Sequence, residues 1–504
     1  MDGSRTRKSI INLSFNAASQ LMTALISFVT RTVFIQVFST KYLGMNAVFA
    51  DVLSLLSLAD LGIGTAMSYS FYRPLAEGDT RRVTALAGFY QRLYRRVAAA
   101  VTAAGLLLIP VLPRIITTEV GRDRLTLYYL ISLAGTALSY LCYSRTAVLA
   151  ADQRGYVSAR LGMAMGLLRM AAQLAAMLWF KSYTGYLAAG AAGALIHNVL
   201  TSRAAVRRYP FLRDRAELDR EDARGIYQSI GAVFLYKLSP LLLNATDHIL
   251  ISVMAGTALA GLYSNYQLIQ NQLTRCISLV FTSLTASVGN LVVREGEDRR
   301  HEVFQCEQAV SFVVCAVAVP CYTALVNDFI SIWLGRDFLL SPGVVCAAGL
   351  NLYLSCVLQP LWSYREATGL YARTKWVMTV CAGLNILLSV LLGLWMGTAG
   401  ILLASAAARL ATYVWYEPKL LFREYFGRSP APYFRRIFQN AALTVLLTAA
   451  LAGPDRALPA ASWLGWTAKA ALSAALCLAA AAALYGPSKE LAPLWKKLGD
   501  HRRG

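Results

Sequence analysis

The sequence predicts an all-α polytopic membrane protein with about 14 transmembrane helices, arranged as two six-helix lobes in a parallel repeat plus two C-terminal helices. Three observations carry this expectation. First, 57% of the 504 residues are hydrophobic and only 15% are charged, far more apolar surface than soluble cores require. Second, apolar runs recur from Ser9 almost to Tyr485, and a hydrocarbon slab of ~30 Å takes roughly 20 apolar residues per helical crossing. Third, the basic residues fall in alternate connections. With the N-terminus inside, 34 of the 48 Lys and Arg lie in the terminal segments and inner connections, 7 in outer connections and 7 within spans. That is the imbalance of the positive-inside rule, and shifting the assignment by one helix inverts it.

The expected spans are 10–36, 42–70, 94–112, 125–147, 156–180, 183–202, 226–253, 258–290, 304–332, 341–364, 374–395, 398–416, 436–453 and 463–485. The apolar stretch after MDGSRTRKS runs past signal-peptide length without a small-residue cleavage site, so it reads as a retained first helix. Outer connections such as Ser39 to Lys41 and Ala255 to Thr257 are very short, whereas inner ones such as Tyr72 to Arg92 and Arg203 to Arg224 are long and Arg-rich. Both termini are expected in the cytoplasm. The formal charge of +21 then meets anionic lipid headgroups, and no nucleic acid is implied. The nine cysteines sit in or beside spans without a CxxC pair, as small core residues with no disulfide framework or zinc site. There is no HExxH, nucleophile elbow or Walker loop, and no outer connection is long enough for a catalytic domain. No catalytic residue, metal or cofactor is expected.

An internal repeat organises the chain. FIQVFSTKYLGMNAVF from Phe34 matches ISVMAGTALAGLYSNY from Ile251, aligning Thr40 with Thr257 and Gly44 with Gly261 at an offset of 217. EGDTRR from Glu77 matches EGEDRR from Glu295 at nearly the same offset. Helices 1–6 and 7–12 therefore read as copies of one unit, giving an N-terminal lobe at 1–208, a C-terminal lobe at 209–430 and two further helices with a basic tail at 431–504. A parallel repeat of this kind is expected in alternating-access transporters.

Charges inside a span cost roughly 3 kcal/mol or more when they face lipid, so they usually face a bundle interior or a water-filled cavity. Here they are mostly cationic. Lys237, Arg169 and Arg275 are the hardest to explain without a cavity; Arg31 and His248 fit a cavity or the outer boundary. Helix 1 presents Gln20, Thr23, Ser27 and Arg31 on one face, and the offset maps Gln20, Ser27 and Arg31 onto Lys237, Asn244 and His248. Helix 8 adds Gln267, Gln270, Asn271 and Arg275. Amides suit sugar hydroxyls, and guanidinium and ammonium groups suit phosphate oxygens. Among the acids, Asp51 is a candidate for ion coupling, and Asp247 beside His248 reads equally as a coupling-ion site and as a satisfied ion pair. Asp60 is expected to partner a neighbouring Arg at a helix end, and Arg409 and Lys469 to snorkel towards headgroups. Ser239-Pro240 and Gln359-Pro360 are expected to mark bends.

Three segments carry a family resemblance: YLGMNAVFADVLSLLSLADLGIGTAMSYSFYRPLAEGDTRR from Tyr42, SRTAVLAADQRGYVSAR from Ser144 and LLNATDHILISVMAGTALAGLYSNYQLI from Leu242. They resemble the polysaccharide (Wzx-type) flippases, the lipopolysaccharide biosynthesis proteins of the multidrug/oligosaccharidyl-lipid/polysaccharide (MOP) exporter superfamily. The resemblance implies a V-shaped pair of lobes in the bacterial cytoplasmic membrane that flips undecaprenyl-diphosphate-linked oligosaccharide by alternating access. It implies as partners the lipid-linked oligosaccharide, the bilayer, a polysaccharide polymerase and other assembly proteins, and as driving force a Na+ or H+ gradient. Related lipid II flippases carry an arginine on helix 1 in a context similar to RTVFIQVF, which supports Arg31 as a cavity residue. The alternative is a cation or drug antiporter of the same superfamily. Its cavity should be acidic or apolar, and the cationic excess argues against it.

Overall fold

The computed structural model describes residues 2–60, 62–152, 154–214, 216–294, 296–368, 370–457 and 462–486. They form helices and turns, and no strand appears among them. The chain is an all-α polytopic membrane protein that divides into two compact units, Met1–Gly261 and Leu262–Gly504.

The first unit contains α1 (Asp2–Val37), α2 (Thr40–Leu56), a 3-10 turn (Ser57–Asp60), α3 (Ile63–Glu77), α4 (Thr80–Leu108), α5 (Leu112–Ile115), α6 (Arg122–Tyr140), α7 (Tyr143–Ala151), α8 (Gly155–Leu178), α9 (Tyr183–Arg208), α10 (Arg220–Asn244) and α11 (Asp247–Ala255). Helix α12 (Thr257–Arg294) begins there and continues into the second unit. The second unit adds α13 (Glu297–Leu334), α14 (Pro342–Val357), α15 (Gln359–Thr368), α16 (Tyr371–Met396), α17 (Thr398–Ala411), α18 (Tyr413–Tyr425), α19 (Ala431–Ala457) and α20 (Trp463–Tyr485). Each expected span thus corresponds to one helix or to a broken pair. Seven described helices are long and apolar enough to cross a membrane, or nine if each of two bent pairs counts as one span. The remaining expected spans are broken, as in α2/α3 and α10/α11, or carry polar side chains within the apolar run, as in α9 and α12.

Local signals explain the element ends. Gly78 takes φ +74° at the end of α3, a left-handed conformation that costs glycine little, and Asp79 then caps α4 by accepting the Arg82 N–H at 2.9 Å. Ser182 and Ser462 cap α9 and α20 in the same way. The break after α2 closes at Gly62, φ +92°, where a Cβ would stand 2.7 Å from the Ile230 carbonyl oxygen of α10.

The repeat offset is visible in the element boundaries. Helices α4 and α13 begin at Thr80 and Glu297, 217 residues apart. The bends that split α6/α7 (51°) and α14/α15 (44°) lie at equivalent positions, the offset carrying Leu141 onto Leu358. The compact units meet at Gly261/Leu262, and within the first unit α10 and α11 pack on α3, α2 and α5. In the second unit α19 and α20 pack on α13 through Ala316, Ala324, Leu447, Cys477 and Ala481. Small residues suit that contact, since in lipid close van der Waals approach rather than the hydrophobic effect holds helices together. Of the two expected bends, Gln359-Pro360 does fall at a break, whereas α10 runs unbroken past residue 240 and ends only at Asn244. Breaks follow where the next helix starts, and proline at a first turn is compatible with such a start.

Candidate functional site

In the first unit, α1 packs on α8 and α8 on α9. This brings two expected cavity residues together: Arg31 of α1 and Arg169 of α8 both act electrostatically on the phenol of Tyr186 in α9. Room for the Arg169 stem comes from Gly193, where a Cβ would stand 2.8 to 3.0 Å from three Arg169 carbons. His197, one helical turn further along α9, also lies in the field of Arg169. Around this cluster stands an aromatic wall: Phe34 and Tyr186 have centroids 5.0 Å apart, and Tyr128 meets Tyr183 edge-on at 4.7 Å. Two like charges in the surroundings of one phenol, within spans of low dielectric, suit an anion with several oxygens. The Thr23 and Ser27 hydroxyls of α1 donate to their own helix, at 2.7 Å to Ser19 O and 2.7 Å to Thr23 O, and Gln20 is half-buried.

A second cluster forms where α10 ends and α11 begins. Asp51 of α2 accepts the backbone N–H of His248 at 3.0 Å and contacts its Nδ1 at 2.9 Å, and Asp247 is buried beside them. The Asp51 carboxylate thereby caps α11 from another helix, at the positive end of its dipole. The expected coupling acids and His248 are one constellation. The side chains of Lys237 and Asn244 lie outside the described residues. In the second unit, Gln267 and Gln270 are half-buried and Asn271 and Arg275 exposed on α12, with Gln270 donating to Ala348 O at 3.3 Å.

The first unit also holds a cavity of about 900 Å3. The stretch from α2 through the 3-10 turn supplies Asn46, Ser54, Ser57 and Asp60, α3 supplies Ser68, Tyr69 and Tyr72, and α6 and α7 supply Ser132, Thr136 and Tyr143. No Lys or Arg stands among the described lining residues, and Asp60 is their one charged group. Sequence reasoning missed this site. Its hydroxyls look like ordinary small helix residues, and only the breaks after α2 and α6 open the helices around them.

Two expectations are corrected, those for Lys469 and Arg409. Asp60 stands at the cavity wall in the surroundings of the Tyr94, Tyr140 and Tyr143 phenols, where the chain turns and brings it to α4, α6 and α7. Lys469 does not snorkel: its Nζ lies 2.7 Å from Asp328 Oδ2, an acid of α13 that reads in sequence as part of an apolar helix. Arg409 is buried, 7% exposed, with Nη1 3.4 Å from Ser355 Oγ. It shares the surroundings of Tyr413 with a buried Arg365–Glu417 pair at 2.6 Å.

No protein-family model and no curated protein sequence matches the chain. Solved structures do match its fold. A lipid II flippase, MurJ, in an inward closed conformation superposes with a TM-score of 0.68 at 13% identity, over 94% of this chain and 99% of that one. An inward-facing multidrug-resistance MATE transporter of the MOP superfamily gives 0.59 at 15% identity, over 81% and 96%. Its outward-facing counterpart gives 0.53 at 14%, over 79% and 92%. The chain therefore has the fold of the MOP-type membrane transporters.

Proposed function

We propose that this chain is a flippase that carries undecaprenyl-diphosphate-linked oligosaccharide across the bacterial cytoplasmic membrane by alternating access, for cell-surface polysaccharide biosynthesis. The observation that carries the reading is the packing of α1 on α8 and of α8 on α9, with Arg169 against Gly193, which sets Arg31 and Arg169 in the surroundings of Tyr186. A diphosphate brings about two negative charges, and burying them unpaired is prohibitive. In this reading Lys237 and Arg275 extend the cationic path, and Gln20, Ser27, Asn244, Gln267, Gln270 and Asn271 tolerate the glycan. Asp51, Asp247 and His248 couple transport to a Na+ or H+ gradient, both termini stay in the cytoplasm, and a polymerase takes the product. The test is flipping of undecaprenyl-diphosphate-linked saccharide by the purified chain in liposomes. Arg31→Ala with Arg169→Ala should slow it by about tenfold per guanidinium or more. Wild-type flipping by that double variant sinks the reading.

The second reading, a cation or drug antiporter, is favoured by one observation: Asp60 with Tyr69, Tyr72 and Tyr143 at the cavity wall. A carboxylate among aromatic faces suits organic cations. Ethidium efflux lost in Asp60→Asn, with saccharide flipping absent, would support it.

A further inference from the structure

We infer that the cavity of the first unit is a subsite for neutral sugar, separate from the arginine cluster; the inference rests on the flippase reading above. The argument is one of donor and acceptor balance. Ser57 donates to Leu53 O at 2.8 Å, Ser68 to Gly64 O at 3.0 Å, Ser132 to Tyr128 O at 3.0 Å and Thr136 to Ser132 O at 3.2 Å. A hydroxyl has one proton and two lone pairs, so each of these four turns only acceptor capacity towards the cavity. Asp60 adds carboxyl oxygens to the same wall.

A site whose charged group is a carboxylate, and which is free of Lys and Arg among its described lining residues, disfavours phosphate, while Asn46 and the phenols leave it donors as well as acceptors for an uncharged polar ligand. It calls for a ligand that donates many hydrogen bonds at once. Sugar hydroxyls and acetamido N–H groups do so, and the faces of Tyr69, Tyr72 and Tyr143 offer flat apolar surface for a pyranose ring. A volume of about 900 Å3 falls in the range of small-molecule sites and admits more than one sugar ring. An organic cation fits less well, because a single charge leaves most of the hydroxyl acceptors without a donor. The division of labour follows from charge: diphosphate at Arg31 and Arg169, glycan at the hydroxyl wall.

The experiment uses the full chain in nanodiscs with three probes, N-acetylglucosamine, inorganic pyrophosphate and tetraphenylphosphonium, read by saturation-transfer NMR titration. Thr136→Val keeps the shape and removes the oxygen; Ser132→Leu with Thr136→Leu narrows the cavity and removes both hydroxyls. Both should weaken the sugar by about fivefold or more and leave pyrophosphate unchanged. Arg31→Ala with Arg169→Ala should do the reverse. Melting temperature and elution profile confirm that each variant is folded. The inference is overturned by absence of sugar binding, by sugar binding indifferent to both cavity variants, or by tetraphenylphosphonium displacing the sugar with an affinity that Asp60→Asn abolishes. Failure of the flippase reading looks different: the cavity variants act on the sugar as expected, yet pyrophosphate ignores the arginines and no lipid-linked saccharide is flipped.

Discussion

Gly44 and Gly261, which the repeat offset relates to one another, touch backbone to backbone. A Cβ on Gly44 would stand 1.7 Å from the Thr257 carbonyl oxygen, and one on Gly261 would stand 2.3 Å from that of Thr40. Thr40 and Thr257 are themselves repeat partners, so the contact is reciprocal, the mark of a local twofold relation. Carbonyl oxygens inside helices cannot rotate aside. Gly44→Ala and Gly261→Ala should each destabilise the first unit by about 1–3 kcal/mol. Together they should cost less than their sum, because either one already separates the backbones. Thermal unfolding of the solubilised protein checks this, and wild-type melting of both single variants would refute the contact.

The cap that Asp51 places on α11 separates charge from hydrogen bonding. Asp51→Ala leaves the buried His248 N–H without its acceptor, at a cost of about 1–3 kcal/mol. Asp51→Asn keeps an oxygen for that N–H and loses only the charge, so its loss should be clearly smaller. Hydrogen exchange at the His248 amide should accelerate in the alanine variant and remain near wild type in the asparagine one. Equal acceleration in both would show that the charge, not the cap, holds the turn.

Much of the architecture is legible in sequence because apolar runs and basic connections obey bilayer constraints that act locally. The repeat is legible through Gly44 and Gly261, whose lack of a side chain the close contact demands. What sequence hides is long-range or geometrical. Pro360 marks the bend at Leu358, but the equivalent bend at Leu141 has neither glycine nor proline beside it, so nothing local announces it. The acceptor wall of Ser57, Ser132 and Thr136 exists only once the breaks after α2 and α6 open a cavity. Lys469 and Asp328 are 141 residues apart, and each alone looks like a group in search of an interface.

That pair yields a sharp contrast. Lys469 and Asp328 are 16% and 15% exposed, so removing one partner strands a largely buried charge. Lys469→Met or Asp328→Leu alone should cost about 3–5 kcal/mol, while the double substitution should be close to neutral. Melting of all three variants decides it. Additive losses would mean that the ions do not act as a pair.

At the C-terminal end of α9, Tyr209 donates to Asp152 Oδ2 at 2.5 Å. Burial first, and then the bond to Asp152, push the phenol above its ordinary value. A pKa raised on folding means that the native state holds the proton more tightly. The stabilisation is therefore complete below the unfolded value of about 10 and is lost as pH rises beyond it. Wild-type melting temperature should fall on the alkaline side of about pH 10, and Tyr209→Phe should flatten that limb while starting lower at neutral pH. A Phe variant with the same alkaline slope would remove Tyr209 from the account.

Gly193 offers the most selective test of the arginine cluster, because it acts on Arg169 without touching its charge. A methyl there would crowd the Arg169 Cβ, Cγ and Cδ at 2.9, 2.8 and 3.0 Å, so the Arg169 side chain must shift from its place in the surroundings of Tyr186. The stem is flexible, so the fold should lose less than about 1 kcal/mol, as for a relieved small-to-large change. Flipping should nevertheless fall several-fold in Gly193→Ala, because positioning and not charge is what changed. In an Arg169→Ala background the same substitution should have no further effect, since there is no longer a guanidinium to displace. If Gly193→Ala lowers flipping equally in both backgrounds, α9 itself is disturbed and the arginine is not the target.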